Sequence, residues 1–111
     1  MTNDLGFDYE LRGTTAELAV NGDLDMAAAF KLEPAIERVV SANDVDELIL
    51  DLGGVGFIDS AGLGILVAAA RTMRGRDGSI ALVGVDHSVH KVFQVTGLDS
   101  WFELTADRLP S

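Results

Sequence analysis

Two side chains that could do chemistry stand together in the segment FIDSAGLG, residues 57–64: the carboxylate of Asp59 and the hydroxyl of Ser60. The segment follows an apolar run, and two glycines, Gly62 and Gly64, come within four residues of the serine. A serine in this setting can act as a nucleophile, cap a helix or accept a phosphate. Its neighbours and the elements around it indicate which role fits.

Helix capping is the simplest role for this pair. Serine and aspartate are preferred N-caps, worth about 1 kcal/mol, because their side-chain oxygens accept hydrogen bonds from the first turn. Capping does not explain Gly62 and Gly64, since each glycine in a helix costs up to about 1 kcal/mol relative to alanine. We therefore expect another backbone or a binding partner to approach closely there. The start of a helix also favours an added anion, so a phosphate on Ser60 is physically suitable.

A serine hydrolase is the main enzymatic alternative. The sequence DSAG is similar to part of the Gly-x-Ser-x-Gly elbow of esterases, but Ile58 stands where the first glycine belongs. His87 and His90 could supply a base or two metal ligands, yet no further ligand cluster accompanies them. We expect both histidines to be solvated surface residues. The segment GGVG, residues 53–56, lacks the Lys-Ser/Thr of a phosphate-binding loop and is interpreted as a turn.

The charge of the chain favours a protein partner over nucleic acid. Its 111 residues include 18 acidic and 8 basic ones, which gives a formal net charge of −10 at pH 7. This charge repels both a phosphate backbone and an anionic membrane, whereas a protein with a basic face is attracted. The chain has no cysteine, so disulfides and thiolate chemistry are excluded.

The length and the apolar content predict a single domain spanning residues 1–111. Apolar residues make up 48% of the chain, as in folded domains. No run approaches the roughly 18 apolar residues of a membrane span, and the first residues, MTNDLG, do not resemble a signal peptide. We therefore expect a cytoplasmic protein.

The apolar pattern switches between a period of two and a period of about 3.6, which predicts strands and helices. Alternation over residues 5–11 and 16–20, with the turn RGT between them, predicts a hairpin. Two later runs, residues 48–52 and 80–85, are almost wholly apolar, as in parallel strands covered on both faces. Helical spacing follows each of the last three strands. The predicted class is α/β, a small mixed and mostly parallel sheet with helices packed against it.

Capping residues predict where the helices begin and end. Asp25 is the predicted N-cap of the first helix, and Asp86 or Ser88 is the predicted N-cap of the third. Pro34 predicts a kink in the first helix or a start of the regular helix close to it. Gly75 among three arginines marks the end of the second helix, and Gly97 ends the third. The tail from residue 101 leaves room for a turn or one short element.

The segment LDLGGVGFIDSAGLG, residues 50–64, resembles the signature of the STAS domain, and specifically of bacterial anti-sigma factor antagonists. The loop NGDLD, residues 21–25, resembles a second recurring element of that family. The likeness in length and element order extends over about the whole chain. Ala61 departs from the family pattern, because many relatives carry a second serine or threonine there. The final helix of the family is expected to be reduced or absent in this chain.

The resemblance implies a phosphorylation switch rather than an enzyme. A family member binds a cognate anti-sigma factor that is also a serine kinase, and so frees a sigma factor. The kinase phosphorylates the motif serine, here Ser60, which breaks the complex, and a serine phosphatase restores binding. Asp59 would orient the hydroxyl or the kinase's nucleotide. The matching contact positions are Asp23, Asp59, Gly62, Leu63 and Gly64. The resemblance implies no cofactor, and a STAS subunit of a transporter or of a larger signalling complex is the alternative.

Overall fold

The computed structural model describes residues 6–42 and 44–105. In chain order these form two strands, a helix, a strand, a helix, a strand, a helix, a 3₁₀ helix and a last short strand. The strands are β1 (Gly6–Arg12), β2 (Thr15–Asn21), β3 (Glu47–Gly54), β4 (Ser79–Val83) and β5 (Glu103–Leu104); the α-helices are α1 (Met26–Ala42), α2 (Ser60–Gly75) and α3 (His87–Thr96), and the 3₁₀ helix is Leu98–Trp101.

The five strands form one sheet in the order β1-β2-β3-β4-β5. β1 and β2 pair antiparallel as the predicted hairpin, and all later pairs are parallel. The register aligns Leu18, Leu50 and Leu82 across the three central strands, and all three are buried. The predicted mixed and mostly parallel sheet is therefore confirmed.

One face of the central strands carries the core. Leu48, Leu50 and Leu52 of β3 are buried, whereas the intervening Ile49 and Asp51 are only half-buried. The expectation that both faces of β3 are covered is thus wrong for the part of the chain that the structure describes. Successive side chains of a strand point to opposite faces of the sheet. An uninterrupted apolar run therefore shows that both faces carry apolar side chains, but it does not show how completely each face is covered.

The first helix begins at its capping residue and not near its proline. The amide of Ala28 donates to Asp25 Oδ1 at 3.0 Å, which confirms the predicted N-cap. α1 then runs through Pro34 to Ala42, so a helix start near Pro34 is wrong. Pro34 has no amide hydrogen to donate to the carbonyl of Phe30, yet the helix continues past it, and both residues are exposed.

The segment GGVG, predicted to be a turn, belongs partly to β3 and partly to the turn that follows it. Gly53 and Gly54 are the last residues of β3, and the chain turns at Val55, whose amide donates to the carbonyl of Leu52 at 2.9 Å. The strand therefore continues two residues further than the apolar run, toward the loop that carries Asp59.

The last third of the described chain follows its capping signals. Asp86 caps α3, and Gly97 ends it in a left-handed conformation with φ 74°. The 3₁₀ helix ends at Trp101, where the tail begins, and the described part of the tail forms one short element, β5, which pairs parallel to β4 as the prediction of a single short element allows. Residues 106–111, on which the prediction about a final helix falls, lie outside the described residues.

The arginines at the end of α2 also have a packing role. The guanidinium carbon of Arg74 lies 4.1 Å from the centre of the Trp101 ring, and that of Arg71 lies 5.9 Å from it. Both distances are within the range of cation–π attraction. These contacts connect the end of α2 to the 3₁₀ helix, in addition to the predicted interaction with the helix dipole.

The cap of α3 predicts an acid-sensitive contribution to stability. The amide of Val89 and the hydroxyl of Ser88 donate to Asp86 Oδ1 at 2.8 and 2.9 Å, and they hold the pKa of Asp86 below its ordinary value of 3.8. The folded state then favours the ionised carboxylate, so this stability is present above pH 3.8 and is lost as the pH falls through the lowered pKa. Denaturation from about pH 5 to about pH 2 should show a shallower loss of the free energy of unfolding for Asp86→Asn than for the native protein. Equal slopes would contradict this assignment.

Candidate functional site

Two loops lie side by side at the carboxyl edge of the sheet, where ligands and partners of open α/β sheets usually bind. They are residues 21–25, after β2, and residues 55–59, after β3. The amide of Leu24 donates to the carbonyl of Phe57 at 2.9 Å, and the amide of Asp59 donates to the carbonyl of Leu24 at 3.2 Å. Leu24 and Ile58 accordingly form an isolated parallel bridge. The two segments that carry the family resemblance are thus a single joined surface.

The start of α2 is capped by Asp59 and not by Ser60. Asp59 Oδ1 accepts a hydrogen bond from the amide of Gly62 at 2.9 Å, while Ser60 is the first residue of the helix. The interpretation of Ser60 as the cap is therefore wrong, because the preceding carboxylate occupies that geometry. This Asp59 oxygen is engaged with the backbone, and orientation of the serine hydroxyl by Asp59 stays a prediction.

Ser60 is exposed, and its hydroxyl makes no hydrogen bond with any other residue that the structure describes. Asp23, in the neighbouring loop, is half-buried and also makes no hydrogen bond or ion pair within the described ranges. A hydroxyl and a carboxylate whose polar atoms are not used internally are therefore available at this edge of the sheet.

The two glycines after Ser60 have different physical causes. A Cβ on Gly62 would collide with the carbonyl oxygen of Leu24 and would lie 3.0 Å from the side chains of Leu24 and Ile58. The expected close approach at Gly62 is thus made by the protein's own backbone. A Cβ on Gly64 would meet nothing within 4 Å, and Gly64 is exposed. The fold therefore requires glycine at position 62 but does not require it at position 64.

The five predicted contact positions divide by burial. Gly62 and Leu63 are buried and offer little surface to a partner, because Gly62 packs the start of α2 onto Leu24 of the loop after β2 and Leu63 belongs to the hydrophobic core. Asp23 and Asp59 are half-buried, and Gly64 is exposed. Direct contact with a partner is available at Asp23, Asp59 and Gly64, around the exposed Ser60.

An open groove of about 490 Å³ lies beside Ser60, between α1 and α2. We call it the α1–α2 groove; its lining includes Met26, Phe30, Glu33 and Glu37 of α1 and Ala61 and Gly64 of α2. Met26 and Phe30 are 63% and 78% exposed. Sequence reasoning missed both, since it followed the buried spacing of α1. The available signal was Phe30, a large apolar residue adjacent to the buried stripe.

The histidines considered as a base or metal ligands belong to α3. His87 is exposed and His90 half-buried, and within residues 6–42 and 44–105 no group of three His, Cys, Asp or Glu side chains could hold a metal ion. In the same ranges no helix has the length and apolar character needed to cross a bilayer.

Paired substitutions of the two glycines test these assignments. Gly62→Ala should lower the free energy of unfolding by roughly 1 to 3 kcal/mol, because the new methyl group is forced against the Leu24 carbonyl. Gly64→Ala should raise it by up to about 1 kcal/mol, since alanine is the better helix former and the space is open. Urea denaturation measures both. Equal effects of the two substitutions would contradict the distinction.

A family model described as "Mlab, STAS domain" matches residues 7–106 of the chain. The anti-sigma-B factor antagonist of Listeria monocytogenes is 32% identical over 88 residues, which cover 79% of this chain and 76% of that relative.

Solved structures agree with this family. The crystal structure of an anti-sigma factor antagonist from Mycobacterium paratuberculosis superposes with a TM-score of 0.80 at 31% identity, covering 92% of this chain and 86% of that one. SpoIIAA, a Bacillus cell fate determinant, has been solved in two forms. The unphosphorylated form matches with a TM-score of 0.78 at 26% identity, covering 89% of this chain and 87% of that one. The phosphorylated form matches with a TM-score of 0.71 at 25% identity, covering 89% of this chain and 90% of that one.

The names of these relatives describe binding proteins and not enzymes, so the hydrolase alternative is set aside. Sequence and fold together show that the chain belongs to the STAS domain family, with anti-sigma factor antagonists among its relatives.

Proposed function

We propose that this protein is an anti-sigma factor antagonist controlled by phosphorylation of Ser60. The unphosphorylated form binds a cognate anti-sigma factor and thereby releases a sigma factor. The serine kinase activity of the anti-sigma factor phosphorylates Ser60 and ends the complex, and a serine phosphatase restores it. The observation that carries the proposal is the exposed Ser60 at the first position of α2, with a hydroxyl that no described residue engages.

The position of Ser60 allows phosphorylation without unfolding. A phosphate adds a charge of about −1.5 to −2 and three acceptor oxygens. At the first residue of α2 this charge lies at the positive end of the helix dipole, which stabilises it. The cap of α2 is a separate carboxylate, Asp59, so modification of Ser60 leaves the capping hydrogen bond in place. We expect the phosphorylated chain to keep its fold and to differ at its surface.

The effect on binding follows from the same geometry. Ser60 directly follows the half-buried Asp59 and directly precedes Ala61, which lines the α1–α2 groove, while Asp23 belongs to the adjoining loop. A phosphate placed in a packed contact of this kind must lose its hydration, and it adds a bulky negative group beside the carboxylate of Asp59; both effects disfavour the complex. The unmodified hydroxyl is small and uncharged, so it fits within the contact.

The net charge of −10 selects a partner with a basic face. Association with such a partner is accelerated by electrostatic attraction, and the association rate should fall as salt screens the charges.

We propose a cytoplasmic location, where sigma factors meet RNA polymerase, and no direct contact with nucleic acid or membrane. Support comes from relatives that are named anti-sigma factor antagonists and from one that was solved in both phosphorylation states.

Capture from a lysate of the native organism tests the proposal. Ser60→Ala should retain an ATP-binding serine kinase that Ser60→Asp does not retain, as identified by mass spectrometry. Because Ser60 is an exposed residue outside the capping bond, both variants should unfold within about 1 kcal/mol of the native protein.

A matched control carries the same charge change elsewhere. Ser100→Asp adds an exposed carboxylate in the 3₁₀ helix and should retain the kinase as the native protein does. Equal retention by Ser60→Ala and Ser60→Asp would argue against the switch. Transport ATPase subunits held equally by both would favour the transporter alternative instead.

The neighbouring loop provides an independent prediction. Asp23→Ala should weaken binding of the captured kinase, or its phosphorylation of Ser60, by about tenfold, because an interfacial carboxylate facing a basic partner is lost. Its circular dichroism spectrum should not change, since Asp23 makes no hydrogen bond within the described chain. If calorimetry and the kinase assay both give native values, Asp23 lies outside the contact surface.

A further inference from the structure

The α1–α2 groove has an unusual composition for a surface of this acidic chain. Met26, Phe30, Glu33 and Glu37 follow one another at intervals of three or four residues and so lie along one stripe of α1. Phe30 and Met26 are among the most exposed large apolar side chains in the described ranges. Apolar side chains that cluster on an otherwise polar surface mark a contact with another molecule.

The side of the groove formed by α2 carries two residues with little or no side chain, Ala61 and Gly64. Gly64 faces open space, where alanine would be better for the helix, so the stability of α2 does not explain glycine there. Ala61, the other small residue of this wall, is half-buried beside it. Small residues across the groove from Phe30 leave room for a side chain of a binding partner.

The groove is continuous with the surface around Ser60. Ser60 and Gly64 are four residues apart in α2 and therefore share one face of the helix. Ala61, which follows Ser60 directly, lines the groove. A partner that contacts Ser60 is thus adjacent to the groove.

The charges of the groove select the chemistry of its occupant. Its charged lining residues in the described chain are Glu33 and Glu37, and both are exposed acids. An apolar side chain flanked by arginine or lysine complements this combination of an apolar floor and an acidic rim. A second copy of this chain fits poorly, since each copy carries a net charge of −10.

We propose that the α1–α2 groove receives an apolar side chain of the anti-sigma factor, flanked by basic residues, with Phe30 as the main contact. This inference rests on the proposed function and extends its contact surface from Ser60 along α1. It also supplies a reason for the switch, because a phosphate on Ser60 would lie beside a packed apolar contact and lose its hydration there.

Calorimetry with a purified probe tests this proposal. The probe is the recombinant anti-sigma factor that the Ser60→Ala bait retains. Phe30→Glu should weaken its binding by about thirtyfold or more, as expected for a central interface contact. The matched control is Val95→Glu, which introduces the same charge at an apolar residue of α3 with 77% exposure, against 78% for Phe30. This control should bind within about twofold of the native protein.

The acidic rim is tested separately. The double variant Glu33→Gln/Glu37→Gln should bind about three- to tenfold more weakly at about 50 mM salt, and the difference should shrink at about 500 mM. A control with the same charge change outside the groove, Asp77→Asn/Glu103→Gln, should show a smaller effect, because both residues are exposed elsewhere. Equal effects of the two double variants would contradict the proposal that basic residues of the partner lie against Glu33 and Glu37.

The outcomes separate this proposal from the proposed function. If Phe30→Glu binds like Val95→Glu while Ser60→Asp remains defective, the groove assignment is overturned and the switch stands. A dimer in sedimentation that Phe30→Glu dissociates and Val95→Glu does not would assign the groove to a second copy and overturn the proposal. If the Ser60→Ala bait retains no anti-sigma factor, the proposed function fails and this inference fails with it.

Discussion

The contact between Gly62 and the carbonyl of Leu24 is the constraint on which the site depends. Leu24 accepts from the amide of Asp59 and donates to the carbonyl of Phe57, so it connects the loop after β2 to the loop that leads into α2. The missing side chain of Gly62 lets the first turn of the helix lie directly on this connection. Any larger residue would place its Cβ against the Leu24 carbonyl, and a change of side-chain rotamer cannot move a Cβ, so the backbone would have to shift.

This constraint fixes the direction of each polar group at the start of α2. With the buried side of the helix anchored in this way, the carboxylate of Asp59 accepts from the amide of Gly62 three residues later, and Ser60 is exposed. The cap of the helix and the proposed phosphorylation site are thereby adjacent residues. Capping belongs to Asp59, so Ser60 can carry or lose a phosphate without a change in the internal hydrogen bonds that the structure describes.

Long-range and short-range forces have different tasks in the proposed complex. The net charge of −10 attracts basic partners over distances up to about the Debye length, which is roughly 10 Å at 0.1 M salt. Attraction of this kind discriminates weakly between basic proteins. The α1–α2 groove, with Phe30 and the open position of Gly64, provides the shape and the apolar contact that select one of them.

The element order through α3, the mixed sheet, the cap at Asp25 and the family membership could be predicted from the sequence, and Asp86 was one of two candidates for the cap of α3. These features depend on local periodicity, on preferences of single residues and on a motif of contiguous letters. The segment 57–64 likewise identified Ser60 and Asp59 as the residues to consider.

Only the tertiary structure decided how those residues share their roles. The local preferences of serine and aspartate for capping are nearly equal, so the packing of Gly62 on Leu24 determined that Asp59 is the cap. The two glycines, which look alike in sequence, differ because one meets a backbone from a distant loop and the other meets open space. The exposed Phe30 and the groove beside it depend on how α1 packs against α2, and such contacts between distant segments are not encoded in the local pattern that sequence reasoning reads.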